Sequence, residues 1–440
     1  MINIFDRNDQ ATIDIIDSFK AIGDDAQTIM LHDDGWLPDS VISPWSYFTY
    51  RNYAGKPLFF NEVQVPDYWE IRGDGSGAKI YDYQRVAGKI VYTNPTTLRH
   101  VKEVHWFDMS GNLKTIDHYN RFGWRFAQSV YLKNKQLVMK TYYTEDGHEK
   151  IVENLATGSL TLNEDEQVII FNSKTEFFKY FINKAGFETD SIRYNSLADP
   201  FFISLGYSHS GKDILFWQEP IGKQIPGNMN FIIEGKAPRT KKIVFFDGND
   251  LAKVKESVGS KNTVDLVKGG YVYQHNRANS GSNEALIMTN SDQIEQIEVL
   301  VQKLPKLIFH IAAVTEMSDK LLKLKAYPNV KLYPNIATKK LTRLWKICDI
   351  YLDINHQGEL LNAVRKAFEN NLLIYAFSNT AHNQNYVINE QVYKPDELVG
   401  MITDLKNCVN NKEYLKQQIK KQQIAAGEIT VADFSRLTEV

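Results

Sequence analysis

Apolar positions follow two patterns along the chain, and the changes between these patterns predict its domains. Residues 2–5 form a short apolar run, residues 15–22 carry apolar side chains at helical spacing, and residues 28–31 form a second apolar run. A strand, a helix and a strand of this length predict two parallel strands joined by a right-handed crossover. The chain is therefore expected to open as a Rossmann-like sheet.

Between about residues 57 and 171, short β-branched and aromatic runs alternate with turn residues. This spacing predicts an antiparallel meander inserted into the first domain. Residues 73–78, with the sequence GDGSGA, look similar to a nucleotide-binding loop, but they lie between two predicted strands and no helix follows them. Without a helix N-terminus to hold phosphate, we interpret them as a hairpin loop.

The strand and helix patterns that resume after the meander predict that the first domain continues there. Helical spacing covers residues 174–184, and strand-like runs cover residues 201–205, 214–217 and 243–246. Residues 274–283 are all polar or small, which predicts a flexible linker to a second domain.

Beyond residue 283, strands and helices alternate regularly, which predicts a parallel sheet covered by helices on both faces. The predicted strands are residues 285–288, 307–314, 330–332, 350–352 and 372–376, and the predicted helices are residues 292–304, 339–347, 360–370 and 412–424. The last helix is rich in Lys and Gln, which favours a solvated face over contact with a membrane or a partner. The predicted domains are the first Rossmann-like domain (1–55 and 174–278), the inserted sheet domain (56–173) and the second Rossmann-like domain with its C-terminal helix (279–440).

Composition excludes several classes of protein. Among 440 residues, 51 Lys and Arg balance 53 Asp and Glu, so the net charge of -2 does not favour nucleic acid as a partner. Two cysteines without metal-ligand spacing indicate a reducing, cytoplasmic setting. The N-terminus lacks a secretory signal, and the most apolar stretch, residues 307–314, is far shorter than the roughly 18 residues that span a bilayer.

Familiar catalytic and metal-binding motifs are missing from the sequence. It has neither G-x-S-x-G nor H-E-x-x-H, its ten histidines are scattered, and we interpret His310 as a core residue. We expect no metal and no cofactor. A ligand site should then lie in the loops beyond the carboxyl ends of the parallel strands. These loops are rich in amides and hydroxyls, and they comprise residues 6–8, 32–36, 289–292, 315–318 and 353–359.

Three segments resemble the GtfB family, the glycosyltransferase-stabilising proteins of the accessory Sec system. They are residues 34–45 (DGWLPDSVISPW), 225–229 (IPGNM) and 310–318 (HIAAVTEMS). The resemblance implies an α/β GT-B-like fold, with two Rossmann-like domains that face a cleft. It also implies a non-catalytic partner of a homologous O-glycosyltransferase, in a heterotetramer. The pair adds N-acetylglucosamine to Ser and Thr of serine-rich-repeat adhesins before export.

The resemblance can be tested at the donor-sugar site of retaining GT-B enzymes. Those enzymes carry two glutamates separated by seven residues at the start of a helix in the second domain. When this chain is anchored on Ala367 and the following strand, the two positions hold Gly358 and Lys366, and Glu359 lies one place off. The basic pair that binds the donor diphosphate falls near Asn290 and Glu295, neither of which is cationic. Donor catalysis by this chain alone is therefore not expected.

The leading hypothesis is a non-catalytic subunit that stabilises the transferase and binds the Ser/Thr-rich adhesin polypeptide in the cytoplasm. The resemblance also allows a weak peripheral association with the cytoplasmic face of the membrane. The candidate residues for binding the acceptor peptide or its glycan are Trp36, Asn290, Thr315, Glu316, Asn355, His356, Gln357 and Glu359. The alternative is an active GT-B glycosyltransferase with a divergent donor site that uses Glu359 and His356. A third hypothesis is a carbohydrate-binding or scaffold protein built on the inserted sheet.

Overall fold

The computed structural model describes residues 1–50, 54–164, 167–258 and 262–439. The chain forms two compact units, which are Met1–Gly269 with the segment from Ser435 onward, and Gly270–Phe434. Within the described ranges, every helix falls short of the length and apolar character that spanning a bilayer requires.

The first unit opens with the strand, helix and strand that the sequence predicts. Its first elements are β1 (Ile2–Phe5), α1 (Gln10–Ala21), β2 (Gln27–Met30), β3 (Val41–Ile42) and α2 (Pro44–Thr49). Strands β1 and β2 are parallel, with Ile2 opposite Gln27. Asp9 caps α1, because its carboxylate accepts a hydrogen bond from the Thr12 amide at 2.9 Å.

Ten strands follow, each antiparallel to its neighbours in chain order, so the predicted meander is confirmed. They are β4 (Glu70–Gly73), β5 (Ala78–Asp82), β6 (Arg85–Tyr92), β7 (Val101–Phe107), β8 (Leu113–Tyr119), β9 (Arg125–Tyr131), β10 (Leu137–Tyr143), β11 (Glu149–Asn154), β12 (Ser159–Glu164) and β13 (Gln167–Phe171). The predicted hairpin loop joins β4 to β5, and Asp74 closes it by accepting a hydrogen bond from the Ser76 amide at 2.7 Å.

The remaining elements of the first unit complete its parallel sheet. They are α3 (Lys174–Lys184), β14 (Ile192–Tyr194), α4 (Asp199–Leu205), β15 (Asp213–Trp217), α5 (Gly227–Ile233), β16 (Thr240–Phe245), α6 (Gly248–Val258) and β17 (Asp265–Lys268). The strand order is β17-β16-β15-β14-β1-β2-β3. Since β14 pairs directly with β1, the meander is inserted between two neighbouring strands of one sheet.

The strand predicted at residues 201–205 is wrong, because this segment belongs to helix α4. Pro200 occupies the first turn of α4, where a proline costs no hydrogen bond. Phe201 and Ile203 are buried, whereas Phe202 is 43% exposed. A short apolar run fits a strand and a buried helix equally well, and only packing distinguishes them.

The inserted sheet and the first α/β layer share one hydrophobic core. Trp45 of α2 stacks on Tyr142 of β10 with ring centroids 4.2 Å apart, and Phe177 of α3 lies 5.3 Å from the same indole. These three side chains are almost fully buried. Much of the aromatic content therefore packs the junction between the two sheets.

The second unit is a six-stranded parallel sheet covered by helices, as the sequence predicts. Its elements are β18 (Glu284–Thr289), α7 (Ile297–Lys303), β19 (Ile308–Ala313), α8 (Asp319–Leu322), β20 (Val330–Tyr333), α9 (Thr338–Ile347), β21 (Ile350–Asp353), α10 (Ala363–Glu369), β22 (Leu373–Phe377), β23 (Val392–Tyr393), α11 (Leu398–Asn410) and α12 (Lys412–Ala425), followed by α13 (Val431–Thr438) at the unit boundary. The strand order is β20-β19-β18-β21-β22-β23. Short 3-10 helices add Phe60–Glu62, Thr96–Leu98, Lys323–Ala326, Gln384–Tyr386, Asn389–Gln391 and Pro395–Glu397 to the two units.

Residues 274–283 belong to the second unit, so the prediction of a free linker is wrong. Asp349, just before β21, accepts hydrogen bonds from Arg277 Nη1 at 2.7 Å, from the Ser280 hydroxyl at 2.7 Å and from the Ser282 amide at 2.6 Å. Burial of Asp349 opposes its ionisation, but these donors outweigh it and hold the pKa of the carboxyl below its ordinary value. The segment is polar because it binds a buried carboxylate.

Candidate functional site

The sheet of the second unit reverses its strand order between β18 and β21. Open α/β sheets bind ligands beyond the carboxyl ends of the strands at such a point. The loops after β18 and β21 are joined there by an isolated antiparallel bridge between Ile294 and Asn355, and the Glu295 amide donates to the Ile354 carbonyl at 2.8 Å. This bridge explains why the helix predicted from residue 292 begins only at Ile297.

Three predicted site residues meet at this point, and Asn355 holds them together. Its Oδ1 accepts a hydrogen bond from the Thr289 hydroxyl at 2.8 Å, and its Nδ2 donates to the Gln357 carbonyl at 2.9 Å and to Asn290 Oδ1 at 3.4 Å. Asn355 is only 3% exposed. Its amide therefore organises the two loops, and the other side chains of these loops are the ones available to a ligand.

His356 is part of a partly exposed polar group on the same loops. Its Nε2 lies 2.7 Å from Glu295 Oε2, which also accepts a hydrogen bond from Asn379 Nδ2 at 3.0 Å. Glu295 and Asn379 were not among the predicted site residues. Asn379 follows β22, and the polar residues after that strand were the sequence signal that could have identified it.

A second histidine, His382, supplies a cation that the sequence did not reveal. Its Nδ1 lies 2.6 Å from Asp353 Oδ1 and its Nε2 lies 2.5 Å from the Gln357 carbonyl. Both partners can only accept, so these contacts favour the protonated imidazole, which donates from both ring nitrogens. The hydrogen bond to the Asp353 carboxylate raises the pKa of His382 above its ordinary value. Both N–H groups are engaged within the loops.

Glu359, the residue closest to the family's glutamate positions, serves the backbone of α10. Its Oε1 accepts a hydrogen bond from the Val364 amide at 2.9 Å, within the first turn of the helix. The helix predicted from residue 360 begins only at Ala363, because Leu361 and Asn362 have left-handed backbone angles. Glu359 and His356 thus have different hydrogen-bond partners.

The remaining predicted residues form hydrogen bonds with partners outside this cluster. Thr315 and Glu316 follow β19, where the Thr315 carbonyl accepts from the Asn335 amide and Glu316 Oε1 accepts from Asn335 Nδ2, both at 3.0 Å. Trp36 belongs to the first unit, where its indole N–H donates to the Tyr119 carbonyl at 3.0 Å. Trp36 thereby fastens the loop after β2 to the inserted sheet.

In the first unit, a cavity of about 210 Å³ lies at the carboxyl ends of β1, β14 and β15. It is lined by Asp6, Arg7, Asp9, Ala11, Asn195, Ser196, Gln218 and Glu219. Asn195 joins two sides of it, because its Oδ1 accepts from the Asp6 amide at 3.0 Å and its Nδ2 donates to the Thr12 hydroxyl at 3.0 Å. The cavity has one cation, Arg7, beside several carboxylates.

The inserted sheet carries a group of polar residues that was not predicted from the sequence. We call it the polar strip, and it comprises Glu103, His105, His118, Ser129, Lys140 and Glu153. Cross-strand pairing places these residues on one face. Glu103 accepts from His105 Nε2 at 2.8 Å and lies 3.5 Å from His118 Nδ1, and these histidines hold the pKa of its carboxyl well below its ordinary value. His118 Nε2 lies 2.9 Å from the Ser129 hydroxyl. Alternation of polar and apolar positions in the meander was the available signal.

Lys140 is the unusual member of the polar strip. Its ammonium lies 4.9 Å from the centre of the Tyr142 ring, and among the described residues it has neither an ion pair nor a hydrogen bond. Burial lowers the pKa of Lys140, and its charge in turn contributes, after burial, to a lowered pKa of His32 in the loop after β2. The polar strip therefore continues into the strand-end loops of the first unit.

Comparison with known proteins agrees with this organisation. Family models match residues 2–48 (GtfB N-terminal domain), 69–172 (GtfB middle domain), 174–256 (GtfB third domain) and 285–422 (GftB/GlyA-F C-terminal domain). The GtfB stabilising protein of UDP-N-acetylglucosamine–peptide N-acetylglucosaminyltransferase from Streptococcus agalactiae is 40% identical over 423 residues, covering 96% of each chain. Its counterpart in Streptococcus gordonii is 39% identical over 435 residues, covering 98% of this chain and 97% of that protein.

A solved structure extends the agreement to three dimensions. A chain of a GtfA/B complex bound to UDP and GlcNAc superposes with a TM-score of 0.93 at 39% identity, covering 100% of this chain and 99% of that chain. The predicted α/β, GT-B-like fold with an inserted antiparallel sheet is thus confirmed. The chain belongs to the GtfB family of glycosyltransferase-stabilising proteins.

Proposed function

We propose that the chain is a non-catalytic subunit that stabilises a homologous cytoplasmic O-GlcNAc transferase. Membership of the GtfB family over almost the whole chain supports this role. The observation that carries the non-catalytic part is that the loops after β18 and β21, residues 290–296 and 354–362, contain neither lysine nor arginine. A sugar-nucleotide diphosphate there would meet the carboxylates of Glu295 and Asp353, while the N–H groups of His382 already have acceptors.

An omission experiment tests the role. This chain, a homologous transferase, a serine-rich peptide and UDP-N-acetylglucosamine are mixed, and each component is left out in turn. We expect no transfer by this chain alone, and a longer half-life and higher activity of the transferase in its presence. Sugar transfer by this chain alone, abolished by Glu359→Ala, would instead establish the alternative of an active transferase.

We further propose that the polar strip and the strand-end loops of the first unit bind the Ser/Thr-rich acceptor. Such a polypeptide is disordered and presents hydroxyls and backbone carbonyls. The half-buried ammonium of Lys140, which lacks an acceptor among the described residues, suits these groups, because a buried donor without a partner is costly. The predicted residues of the second unit, including Glu316 and His356, form the second part of this proposal.

Acceptor binding is measured by fluorescence anisotropy of a labelled serine-rich peptide with the intact complex. Lys140→Met should weaken binding, whereas Lys133→Met, in an exposed turn of the same sheet, should leave it unchanged. Equal binding by both variants would contradict the role of the polar strip. Loss of binding in His356→Gln alone would place the peptide in the second unit.

We also propose a peripheral association with the membrane. A cluster of exposed basic residues, which we call the basic belt, supports it. It lies on α8, the following 3-10 helix, the edge strand β20 and α9, and comprises Lys320, Lys323, Lys325, Lys331, Lys339, Lys340, Arg343 and Lys346. All eight are exposed, none is ion-paired within the described residues, and Asp319 is the one acidic residue between positions 319 and 346. Each cation near an anionic bilayer contributes about 1 kcal/mol of attraction.

Helix α12, the lysine-rich helix of the sequence, differs from the basic belt. It packs Leu415 and Ile419 into the core and exposes its lysines, as a solvated helix does. Sedimentation with phosphatidylglycerol vesicles compares two triple variants, Lys339→Gln/Lys340→Gln/Arg343→Gln and Lys416→Gln/Lys420→Gln/Lys421→Gln. We expect loss of binding in the first variant, and loss of wild-type binding in high salt. Binding by the first variant equal to wild type would refute the assignment of the basic belt.

A further inference from the structure

Three side chains with metal-ligand chemistry meet in the second unit, away from the loops described above. Glu284 begins β18 and His310 lies in the neighbouring strand β19. Cys348 follows the last residue of α9, two residues before β21, which pairs with the other side of β18. One carboxylate oxygen, one imidazole nitrogen and the sulfur lie within 4.8 Å of one another. The cluster thus joins two neighbouring strands to the short connection between α9 and β21, and these elements of secondary structure hold it in place.

His310 has the hydrogen-bond arrangement that metal-bound histidines use. Its Nε2 lies 2.8 Å from Glu284 Oε2, and its Nδ1 lies 2.8 Å from the Tyr333 hydroxyl, whose ring stacks on the imidazole at 15°. A metal-bound histidine donates its second N–H to an oxygen, which fixes the ring. A tyrosine hydroxyl can donate or accept, so Tyr333 serves Nδ1 with or without a metal.

Cys348 packs in a hydrophobic core of the second unit, where its sulfur is available to a metal. Its side chain is fully buried, and its sulfur has no hydrogen-bond partner among the described residues. Burial raises the pKa of the Cys348 thiol well above its ordinary value, so a thiolate does not form there unaided. The other cysteine, Cys408, is accounted for, because its sulfur lies 3.2 Å from the Tyr375 hydroxyl.

We propose that Glu284, His310 and Cys348 bind a zinc ion. A thiolate, an imidazole and a carboxylate are a ligand set that zinc accepts in tetrahedral geometry. Metal–ligand bonds of about 2.0–2.3 Å place tetrahedral ligand atoms roughly 3.3–3.8 Å apart. Side-chain rotations that move the ligand atoms by about 1 Å would therefore bring all three to bonding distance from one zinc ion. Water can complete the coordination from the side of Glu284, whose side chain is 20% exposed.

The binding step is balanced without a redox change. Zinc replaces the thiol proton of Cys348, which is released to solvent, and the hydrogen bond between Glu284 and His310 is broken. In the metal-free chain, neutral His310 donates from Nε2 to Glu284 and accepts at Nδ1 from Tyr333. On zinc binding the ring proton moves to Nδ1 by exchange with solvent and is donated to the Tyr333 oxygen, and Nε2 binds the metal. One carboxylate and one thiolate then neutralise the two charges of the ion. The ion would join β19, β18 and the connection between α9 and β21, next to the Asp349 carboxylate that accepts hydrogen bonds from residues 277–282.

Cobalt and zinc reconstitution of the full chain tests the site. Protein without a polyhistidine tag is stripped with a chelator, loaded with Zn²⁺ or Co²⁺ and freed of excess metal. We expect one zinc per chain by elemental analysis, and a cobalt spectrum with a sulfur-to-cobalt charge-transfer band. Zinc should also raise the melting temperature in a saturable manner.

Matched variants make the outcome decisive. Cys348→Ser should lose the charge-transfer band and the bound zinc, whereas Cys408→Ser, at the other buried cysteine, should keep both. His310→Gln, checked for folding by circular dichroism, provides a second test through loss of zinc. Substoichiometric zinc in the wild-type chain, or a cobalt spectrum unchanged by Cys348→Ser, would overturn the proposal without affecting the proposed transferase-stabilising role.

Discussion

Asp349→Asn is the substitution for which the structure predicts the most defined loss of stability. The carboxylate receives four hydrogen bonds: Oδ1 accepts from Arg277 Nη1 at 2.7 Å and from the Ser280 amide at 3.1 Å, and Oδ2 accepts from the Ser280 hydroxyl at 2.7 Å and from the Ser282 amide at 2.6 Å. Asparagine keeps one oxygen, but its NH₂ group faces the second pair of donors. The Ser280 hydroxyl can rotate to accept, whereas the Ser282 N–H cannot.

The magnitude follows from these contacts. The Ser282 amide without an acceptor costs about 1–3 kcal/mol, and the bond from Arg277 falls from about 1.5–3 kcal/mol to about 1 kcal/mol when its acceptor loses the charge. We therefore expect Asp349→Asn to lower the free energy of unfolding of the second unit by about 2–4 kcal/mol. Asp396→Asn, at an exposed position of the same unit, should change it by less than about 0.5 kcal/mol.

The loss should also depend on pH in a defined direction. Because the pKa of Asp349 is lower in the folded chain than its unfolded value near 3.9, its stabilisation is complete above about pH 5. It declines as the pH falls through the folded value. The difference between wild type and Asp349→Asn should therefore be constant at neutral pH and shrink in acid.

Hydrogen exchange read by mass spectrometry, combined with urea titration, measures this effect in the full chain. Peptides covering residues 274–283 should lose protection in Asp349→Asn, while those of the inserted sheet should not. The reasoning is refuted if Asp349→Asn and Asp396→Asn unfold at the same urea concentration, or if protection of residues 274–283 is unchanged.

Three further predictions concern other parts of the chain. Arg239→Met should lower the free energy of unfolding, measured in urea, by about 3–5 kcal/mol. The reason is that it leaves the carboxylate of Asp213, which is 0% exposed, without its ion-pair partner. A change below about 1 kcal/mol would contradict this prediction. Tyr142→Ala should cost about 3–5 kcal/mol and reduce the near-UV circular dichroism, because it removes the ring stacked on Trp45; an unchanged signal would argue against a shared core. The contacts of His382 should stabilise the loop after β21 below about pH 6.5, and this contribution should be lost as the pH rises through its higher folded pKa. Hydrogen exchange of that loop should show the change in wild type and not in His382→Gln.

The elements that sequence patterns predict correctly are those whose period is unambiguous. Strand β19 is buried along nearly its whole length, as expected for a central parallel strand, and α3 was predicted with its observed ends. The predictions fail where a local pattern admits two structures. The run at residues 201–205 packs as a helix, and α7 and α10 begin late because the residues before them bridge to another loop or take left-handed backbone angles.

The sequence was sufficient to predict where the candidate site lies in the fold, but not which of its side chains contact one another. Strand ends can be located in a sequence, so Asn290, Asn355 and His356 could be assigned to one edge of a sheet. Their roles depend on partners that no spacing indicates, such as Asn379 for Glu295. The polar strip of the inserted sheet escaped notice because its members come from five strands and meet only through antiparallel register.

By itself, the sequence determined the α/β class, the inserted meander, the second run of βα units and the family. Local periodicity and short segments are sufficient for these conclusions because they depend on residues close together in the chain. Only the tertiary structure decided that residues 274–283 bind Asp349, that Asp353 raises the pKa of His382, and that Glu284, His310 and Cys348 meet. These contacts join residues 26 or more positions apart, and the hydrogen-bond partners that they bring together favour the charged forms of Asp349 and His382 against burial. Neither these distant contacts nor their effect on charge can be recognised from a local sequence pattern.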